Sequence, residues 1–572
     1  MQAQTHTTAV PEGRHGDDES TAERLRATAE AWLADDPDAD TRAELRSVID
    51  GLPATADDLA DRFAGPLTFG TAGLRGPVRA GANGMNRAVV RAAAAGLVAW
   101  LTAQGDHGPV VIGYDARNGS AAFADETARV VTGSGRVALI MPVPVPTPVL
   151  AYAVKHLPDA TPSAGVMVTA SHNPPRDNGY KVYLGNRLGG DLGGGAQIVP
   201  PTDVEIEAAI RAVGPLADVP LGPAATVLSP EILDAYVRDA AAILDVDTPR
   251  ELSIAYTPMH GVGADVALRA FAAAGFDQIA VVADQAVADP TFPTLPFPNP
   301  EEPGAMDHVI TLARAVAADV AIANDPDADR CAIAVPVPGT DRWRTLRGDE
   351  VGVLLADHLM NRHADGLFAT TIVSSSLLGQ MCRRHDRPFA ETLTGFKWIV
   401  RAGTPLAYGY EEAIGYCVDP ASVRDKDGIS AALLIAELAA GLRTELRTLQ
   451  DRLDEIAADY GVYVTDQLSV RVEDLTEIAA LMSQIRTHRP ATLLDAPIES
   501  VDDLLPENDV LTLRTASARV VVRPSGTEPK LKAYLEVVEP VVDGDVAAAR
   551  ERGTAAIAAL RAEAAAALGL AH

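Results

Sequence analysis

The 572 residues are 47% hydrophobic and 22% charged, ordinary for a globular protein and enough for about four domains of roughly 150 residues. With 48 Lys and Arg against 78 Asp and Glu the formal charge is −30, which excludes long-range attraction to nucleic acid and to anionic membranes. The charge is either a solvated surface or the background against which an anionic substrate is held, and in that case local cationic clusters and a metal must hold it.

Residues 1–20 are polar, carry no apolar stretch of signal-peptide type and are expected to be disordered. From 21 to 64 Ala, Glu and Arg dominate, with helical spacing through Leu25, Trp32 and Leu33 and then Leu45, Val48 and Ile49. The string Phe69-Gly-Thr-Ala-Gly-Leu-Arg-Gly76 has glycines spaced GxxGxxG, which is not the dinucleotide fingerprint. Arg75 lies between two of these glycines, free to approach a ligand. Ala88–Leu101 and Ala121–Thr132 read as helices, and Pro109–Tyr114, Arg136–Met141 and Ala164–Thr169 as strands. Such alternation predicts α/β layers.

Directly after that last strand comes Thr169-Ala-Ser-His-Asn-Pro-Pro175. Strand ends are where α/β proteins present reactive groups. Ser171 is expected to be exposed on a turn fixed by Pro174 and Pro175. A serine hydroxyl is a weak nucleophile unless assisted, or unless it already carries the group to be transferred. His172, and Lys181 ten residues on, are candidates to move a proton. Taken alone, the string is equally a proline-fixed turn with a polar cap.

Residues 213–225 and 336–347, rich in Pro, Gly and polar residues, read as linkers. Between them the pattern recurs: strand Leu252–Tyr256, helix Ala264–Ala274, strand Gln278–Val282, helix Met306–Ala317, strand Val320–Ala323. Then comes Asn324-Asp-Pro-Asp-Ala-Asp-Arg330, with Asp325, Asp327 and Asp329 at i, i+2 and i+4. In an extended loop these carboxylates emerge on one side and repel, and a hard divalent cation resolves the repulsion. A calcium loop of EF-hand type does not fit, because its glycine and glutamate positions hold Arg330 and Pro336. Mg²⁺, with few carboxylates and a phosphate oxygen, fits better; a solvated acidic turn is the plain alternative. Arg330 either neutralises the aspartates or reaches a phosphate in bidentate fashion.

After 347 the alternation continues with helix Val351–Asn361, strand Leu367–Val373 and helix Ile429–Leu442. Three polar loops fall here: Thr394-Gly-Phe-Lys-Trp398, Gly409-Tyr-Glu-Glu-Ala-Ile-Gly415 and Arg424-Asp-Lys-Asp-Gly428. Glu411 is suited to accept two sugar hydroxyls. From about Gly461 the character changes to strands and a final Ala-rich helix. Arg523-Pro-Ser-Gly-Thr-Glu-Pro-Lys530, between two strands, reads as an anion cradle or as a polar hairpin tip.

Six of the 48 cationic side chains are lysines, and four of those six lie in these motifs, as expected where a compact ammonium is needed. The three cysteines, Cys331, Cys382 and Cys417, have no CxxC spacing, so a reduced compartment is expected. No uncharged apolar run reaches the ~18 residues of a membrane span. A cytoplasmic location is expected.

The ordered set, a serine loop, then D-x-D-x-D-R, then a Glu-Glu loop, then R-P-S-G-T-E-P, resembles the α-D-phosphohexomutase superfamily of phosphoglucomutases and phosphomannomutases from about residue 65 to 535. GTAGLRG, GYKVY, TPMHGVG, TGFKWI and EEAIGY are most similar to the subgroup that includes phosphopentomutase-type enzymes. The resemblance implies an α/β fold: three similar α/β domains with mixed sheets and a C-terminal TATA-box-binding-protein-like α+β domain around a central cleft. The expected division is a disordered 1–20, first domain 21–215 with N-terminal helices and the serine loop, second 216–338 with the metal loop, third 339–460 with the sugar loop, and fourth 461–572 with the phosphate loop.

The resemblance also implies roles. Ser171 is the phosphoserine and, with Asp325, Asp327 and Asp329, a ligand of Mg²⁺. Arg75 and Arg330 stabilise the transferring phosphoryl group, and His172 and Lys181 are the acid/base candidates. Glu411 reads the sugar hydroxyls. Thr394, Lys426, Arg523, Ser525, Gly526 and Thr527 hold the sugar region and the non-reacting phosphate. The implied reaction interconverts glucose 1-phosphate and glucose 6-phosphate through a bisphosphorylated sugar, with Mg²⁺ as cofactor and glucose 1,6-bisphosphate as activator; mannose or pentose phosphates are the alternative substrates. The implied partner is a small sugar phosphate, not nucleic acid or membrane, and the assembly a monomer or homodimer. One departure stands out. Hexomutases carry Glu-x-Ser in the sugar loop, and here it reads Glu411-Glu412-Ala413, which removes a hydroxyl contact and keeps pentoses open.

Overall fold

The computed structural model describes residues 14–70, 72–472, 475–525 and 530–569. The disorder expected for 1–20 is corrected at its end: helix begins at Arg14, because an Ala- and Glu-rich helix, once nucleated, propagates at little cost per residue. The stretch before it lies outside the described residues. Helices Arg14–Asp35, Ala39–Asp50 and Ala56–Arg62 close a small apolar cluster around Leu45, Ile49, Leu59 and Ala80.

The first sheet has six strands in the spatial order Leu74–Pro77, Asp177–Leu184, Ala164–Val168, Val110–Tyr114, Ala138–Ile140 and Thr226–Val227. Its centre is parallel and its first two pairings antiparallel, so the sheet is mixed. Periodicity alone does not reveal Asp177–Leu184: it is buried on both faces from Asn178 on, so polar and apolar residues follow one another without alternation.

The second sheet runs Trp343–Thr345, Cys331–Pro336, Val320–Asn324, Ile254–Thr257, Ile279–Val281. Val320–Asn324 and Cys331–Pro336 pair antiparallel with Asn324 opposite Cys331, so the aspartates occupy a tight hairpin rather than an extended loop. The linker expected at 336–347 is partly a strand: Trp343–Thr345 pairs with Ala334–Pro336 at the sheet edge, where a β-favouring Trp-Arg-Thr run meets an open ladder. The third sheet runs Phe389–Thr392, Leu367–Thr371, Leu406–Glu411, Gly415–Cys417, again parallel except for its last pair. The fourth, Val462–Arg471, Lys530–Glu539, Ala518–Pro524, Leu511–Arg514, Ser500–Asp503, is antiparallel throughout.

One apolar core runs through the second and third units and reaches the back of the first, from Val149 and Tyr152 through Phe271 and Ile322 to Tyr408 and Leu433. Helix Gly428–Thr444 is buried almost along its whole length in this core, which is why its sequence is apolar on all sides. The fourth sheet has a core of its own, with Ile478, Met482, Ile557 and Leu560 from its two helices packed on Leu511, Val520 and Leu535.

Candidate active site

Ser171 stands three residues past strand Ala164–Val168, in a left-handed conformation (φ 51°), with its amide donating to Thr169 Oγ1 at 2.9 Å. The exposure expected for it is corrected: Ser171 is only 3% exposed, because the loop folds down onto the acidic hairpin and Ser171 Oγ donates to Asp325 Oδ2 at 2.9 Å. Arg75, on strand Leu74–Pro77, reaches the same loop from the sheet edge and donates to Asn173 Oδ1 at 3.2 Å. Gly73 allows that approach: its φ is +75° and a Cβ there would lie 1.8 Å from the Tyr180 carbonyl oxygen.

Asp325, Asp327 and Asp329 are buried, and each offers a carboxylate oxygen within 4.8 Å of the others. The hairpin turns at Ala328 (φ 53°), and the Arg330 amide donates to Asp325 Oδ1 at 3.1 Å. Gly261 packs against the hairpin from the preceding loop, where a Cβ would meet Pro326 Cα at 2.3 Å. Lys181 Nζ donates to Asp327 Oδ2 at 2.8 Å and Asp329 Oδ2 at 3.1 Å. Thr147 Oγ1 donates to Asp327 Oδ2 at 2.6 Å. Asp327 Oδ1 and Asp329 Oδ1 remain buried without a hydrogen-bond partner. Two buried carboxylate oxygens left without partners fit a hard divalent cation, which would supply the missing ligand sphere.

The titration of these groups follows from the crowding. Burial and then Asp327 and Asp329 push the Asp325 carboxyl well above its usual range. Burial would raise Asp327 too, but the Lys181 ammonium and hydrogen bonds from Lys181 and Thr147 hold it below. Burial pulls Lys181 down, and the pull is outweighed by Asp327 and Asp329, so it stays an ammonium. His172 is held well below its ordinary value by burial and by Arg330 and Arg75, and as a neutral ring it accepts from Arg330 at Nδ1 (2.5 Å). Arg75 Nε and Arg330 Nε are buried donors with no hydrogen-bond partner, unspent beside the serine loop.

The third unit closes one side. Lys426 Nζ lies 3.5 Å from Asp329 Oδ2, 4.0 Å from Glu411 Oε1 and 5.6 Å from the centre of the Phe396 ring. Burial raises the Glu411 carboxyl, against the pull of Lys426 and Arg330. Thr394 is half-buried in the turn before helix Phe396–Ile399. Lys397, one residue into that helix, is brought down to about 8 by burial, with Arg401 and Arg523 adding repulsion. Ser525 closes its turn by donating its amide to the Lys530 carbonyl at 2.7 Å. Gly526 and Thr527 lie outside the described residues.

The structure thus brings Ser171, His172, Lys181, Arg75, Arg330, the three aspartates, Glu411 and Lys426 into one site. Sequence reasoning missed Thr147 and Arg117. A threonine between two prolines at a helix start was a signal for the first. For the second the only signal was an arginine just past the end of strand Val110–Tyr114.

Four family models match the chain in order: phosphoglucomutase/phosphomannomutase alpha/beta/alpha domain I over residues 66–214, domain II over 234–338, domain III over 347–460, and the C-terminal domain over 468–553. The chain is 44% identical over 461 residues to a protein of Haemophilus influenzae named probable phosphomannomutase, covering 79% of this chain and 93% of that one. It is 32% identical to the phosphopentomutase of Mus musculus, over 91% and 92% of the two chains. Among solved structures, a phosphoglucomutase/phosphomannomutase family protein of Burkholderia thailandensis superposes with a TM-score of 0.64 at 20% identity, over 86% of this chain and 97% of that one.

Proposed function

The chain belongs to the phosphoglucomutase/phosphomannomutase family and is an isomerase of the phosphotransferase type, and from that premise we propose that it interconverts glucose 1-phosphate and glucose 6-phosphate through a phosphorylated Ser171. The observation that carries the proposal is Ser171 Oγ at 2.9 Å from a buried aspartate trio with two unpartnered oxygens. A nucleophile against a cation site is needed for transfer and not for binding alone.

In this reading phospho-Ser171 gives its phosphoryl group to the free hydroxyl of a bound sugar monophosphate. The sugar becomes a bisphosphate and Ser171 regains its hydroxyl. The bisphosphate turns over in the cleft and returns its other phosphoryl group to Ser171. A divalent cation, Mg²⁺ by the oxygen-only donor set, held by Asp325, Asp327 and Asp329, supplies neutralisation of the phosphoryl charge. Arg75 and Arg330 present their free Nε–H groups to the same oxygens. Lys181, kept as an ammonium, gives a proton to the Ser171 oxygen from which the phosphoryl group departs and is recharged by the proton that the attacking sugar hydroxyl releases. His172 orients Arg330 through its neutral Nδ1. Glu411 accepts sugar hydroxyls, and Thr394, Lys426, Arg523, Ser525, Gly526 and Thr527 hold the ring region and the second phosphate. Glucose 1,6-bisphosphate reloads Ser171 when the intermediate is lost.

Pentose phosphates form a second reading, favoured by Ala413, which offers no hydroxyl where a hexose-reading loop has serine, and by the phosphopentomutase relative. The phosphomannomutase relative keeps mannose in the test. The test is kcat/KM of phosphorylated enzyme on glucose, mannose, ribose and deoxyribose 1-phosphates. The proposal expects glucose 1-phosphate to lead. A lead for a pentose moves the assignment to the second reading, and release of inorganic phosphate as the main product contradicts both.

A further inference from the structure

Arg117 lies in none of the loops that meet the substrate, yet it is almost wholly buried and both terminal nitrogens of its guanidinium are engaged on the loop that carries the nucleophile. Nη2 donates to the carbonyls of Ser171 (2.5 Å) and Asn173 (2.6 Å), and Nη1 to those of Pro174 (2.9 Å) and Asp177 (3.1 Å). Nε stands 3.5 Å from Asp115 Oδ2. The flat face of the group lies over the Phe292 ring, 4.9 Å from its centre, and Phe292 belongs to the second unit, between strands Ile279–Val281 and Val320–Asn324.

We propose that Arg117 is a positioning residue for phosphoryl transfer, gathering four carbonyls of the serine loop so that Ser171 is held in its left-handed conformation against the aspartate hairpin; this rests on the mutase reading of the site. A doubly charged phosphoserine is repelled by carbonyl oxygens that face it. Arg117 turns these oxygens the other way, onto a cation that cannot be deprotonated. The carbonyl of Ser171 is itself one of the four, and it fixes the residue whose φ of 51° is otherwise disfavoured for a side chain with a Cβ. Contact with Phe292 ties the same guanidinium to the unit that supplies the aspartates, so nucleophile and cation site are set relative to each other by one side chain.

The test compares wild type with Arg117→Ala and Arg117→Lys, each loaded with phosphate from glucose 1,6-bisphosphate. Expected are a kcat per phosphorylated serine lower by about 100-fold with KM for glucose 1-phosphate little changed, since a misplaced nucleophile loses transfer and not binding. Lysine, which spans fewer carbonyls, restores little, and guanidinium added to Arg117→Ala restores part of kcat. Amide exchange is expected to speed up over 170–178 and not elsewhere. Folded variants with unchanged kcat and unchanged exchange overturn the proposal, as does a loss of kcat that only tracks the folded fraction. Should both Arg117 variants fail to fold, Phe292→Leu decides: the proposal expects lower kcat and faster exchange in the loop, and no change in either overturns it. If wild type isomerises no sugar phosphate, the mutase reading fails while the exchange data still decide whether Arg117 positions the loop.

Discussion

Asp327 accepts from Lys181 and Thr147 through one oxygen and keeps the other buried and unpartnered. Asp327→Asn keeps the shape and loses the charge that a cation needs. Activity is expected to fall about 1,000-fold or more while a cooperative melt persists, read by steady-state kinetics and calorimetry. A variant with near wild-type kcat contradicts the cation site. Glu412 gives a pH prediction. It is partly buried beside Glu411 and Asp349, takes donors from Thr371 and Ser374, and is pushed up to about 7 by burial and then by those two acids. An acid raised from its ordinary 4.5 keeps a proton in the folded state that the unfolded chain has lost, so its effect is a loss of stability as pH rises through about 4.5 to 7. Glu412→Gln is therefore expected to gain roughly 1–3 kcal/mol at pH 8 and nothing at pH 4, by denaturant titration at each pH. A gain of equal size at both pH values contradicts this. The residues legible in the sequence are those in strings of unusual chemistry: Ser171, the aspartates, Lys181, Lys426. Thr147, Arg117 and the burial of Ser171 were not, because each depends on which segment packs against which.

At the level of elements, the site is a set of strand ends. Ser171 follows Ala164–Val168, the aspartates bridge Val320–Asn324 and Cys331–Pro336, and Glu411 ends Leu406–Glu411. Short apolar runs flanked by polar turns made Ala164–Val168 and Val320–Asn324 readable from sequence, whereas Leu406–Glu411 was not, because its Gly-Tyr-Glu end falls in a stretch that reads as a polar loop. Asp177–Leu184 and Trp343–Thr345 were not readable as strands. The first mixes Asn178 and Lys181 into a buried run, and the second sits among Pro, Gly and Asp residues that signal a loop. The hairpin also yields a measurable coupling. A cation that binds the folded hairpin and not the unfolded chain stabilises by mass action, about 2.7 kcal/mol at 100 times its Kd. Mg²⁺ is expected to raise the melting temperature of wild type and leave that of Asp327→Asn unmoved; equal shifts in both place the ion elsewhere.

Across the whole molecule, the second and third units share one core that also reaches the back of the first, whose sheet has a further core around Leu97, Ile112 and Val166, while the fourth unit's main core is separate. The seam between third and fourth units joins a small apolar cluster of Val373, Val510, Val521 and Tyr534 to a set of polar contacts. Ser376 donates to Glu536 through its amide (2.8 Å) and hydroxyl (2.6 Å), Thr465 to Asp349 at 3.0 Å, and Arg519 to the Ile372 and Ser374 carbonyls. A cavity of about 490 Å³ at this seam is lined by Arg344, Asp349, Leu453 and Val462 among others. Residues 462–569 are expected to open as a unit at lower free energy than the rest, seen as a shared, faster amide-exchange class that sugar phosphate slows. One exchange class for the whole chain contradicts that. That the last unit differs in kind was visible in the change of pattern near Gly461; the polar contacts of its seam were not, since Ser376, Glu536 and Arg519 are far apart in sequence. The most direct measurement is a chase of enzyme carrying radiolabelled phosphate on Ser171 with unlabelled glucose 1-phosphate and Mg²⁺. The label is predicted to pass to glucose bisphosphate and glucose 6-phosphate and to leave Ser171 within one turnover. Label that stays on the protein, or leaves only as inorganic phosphate, contradicts transfer from Ser171.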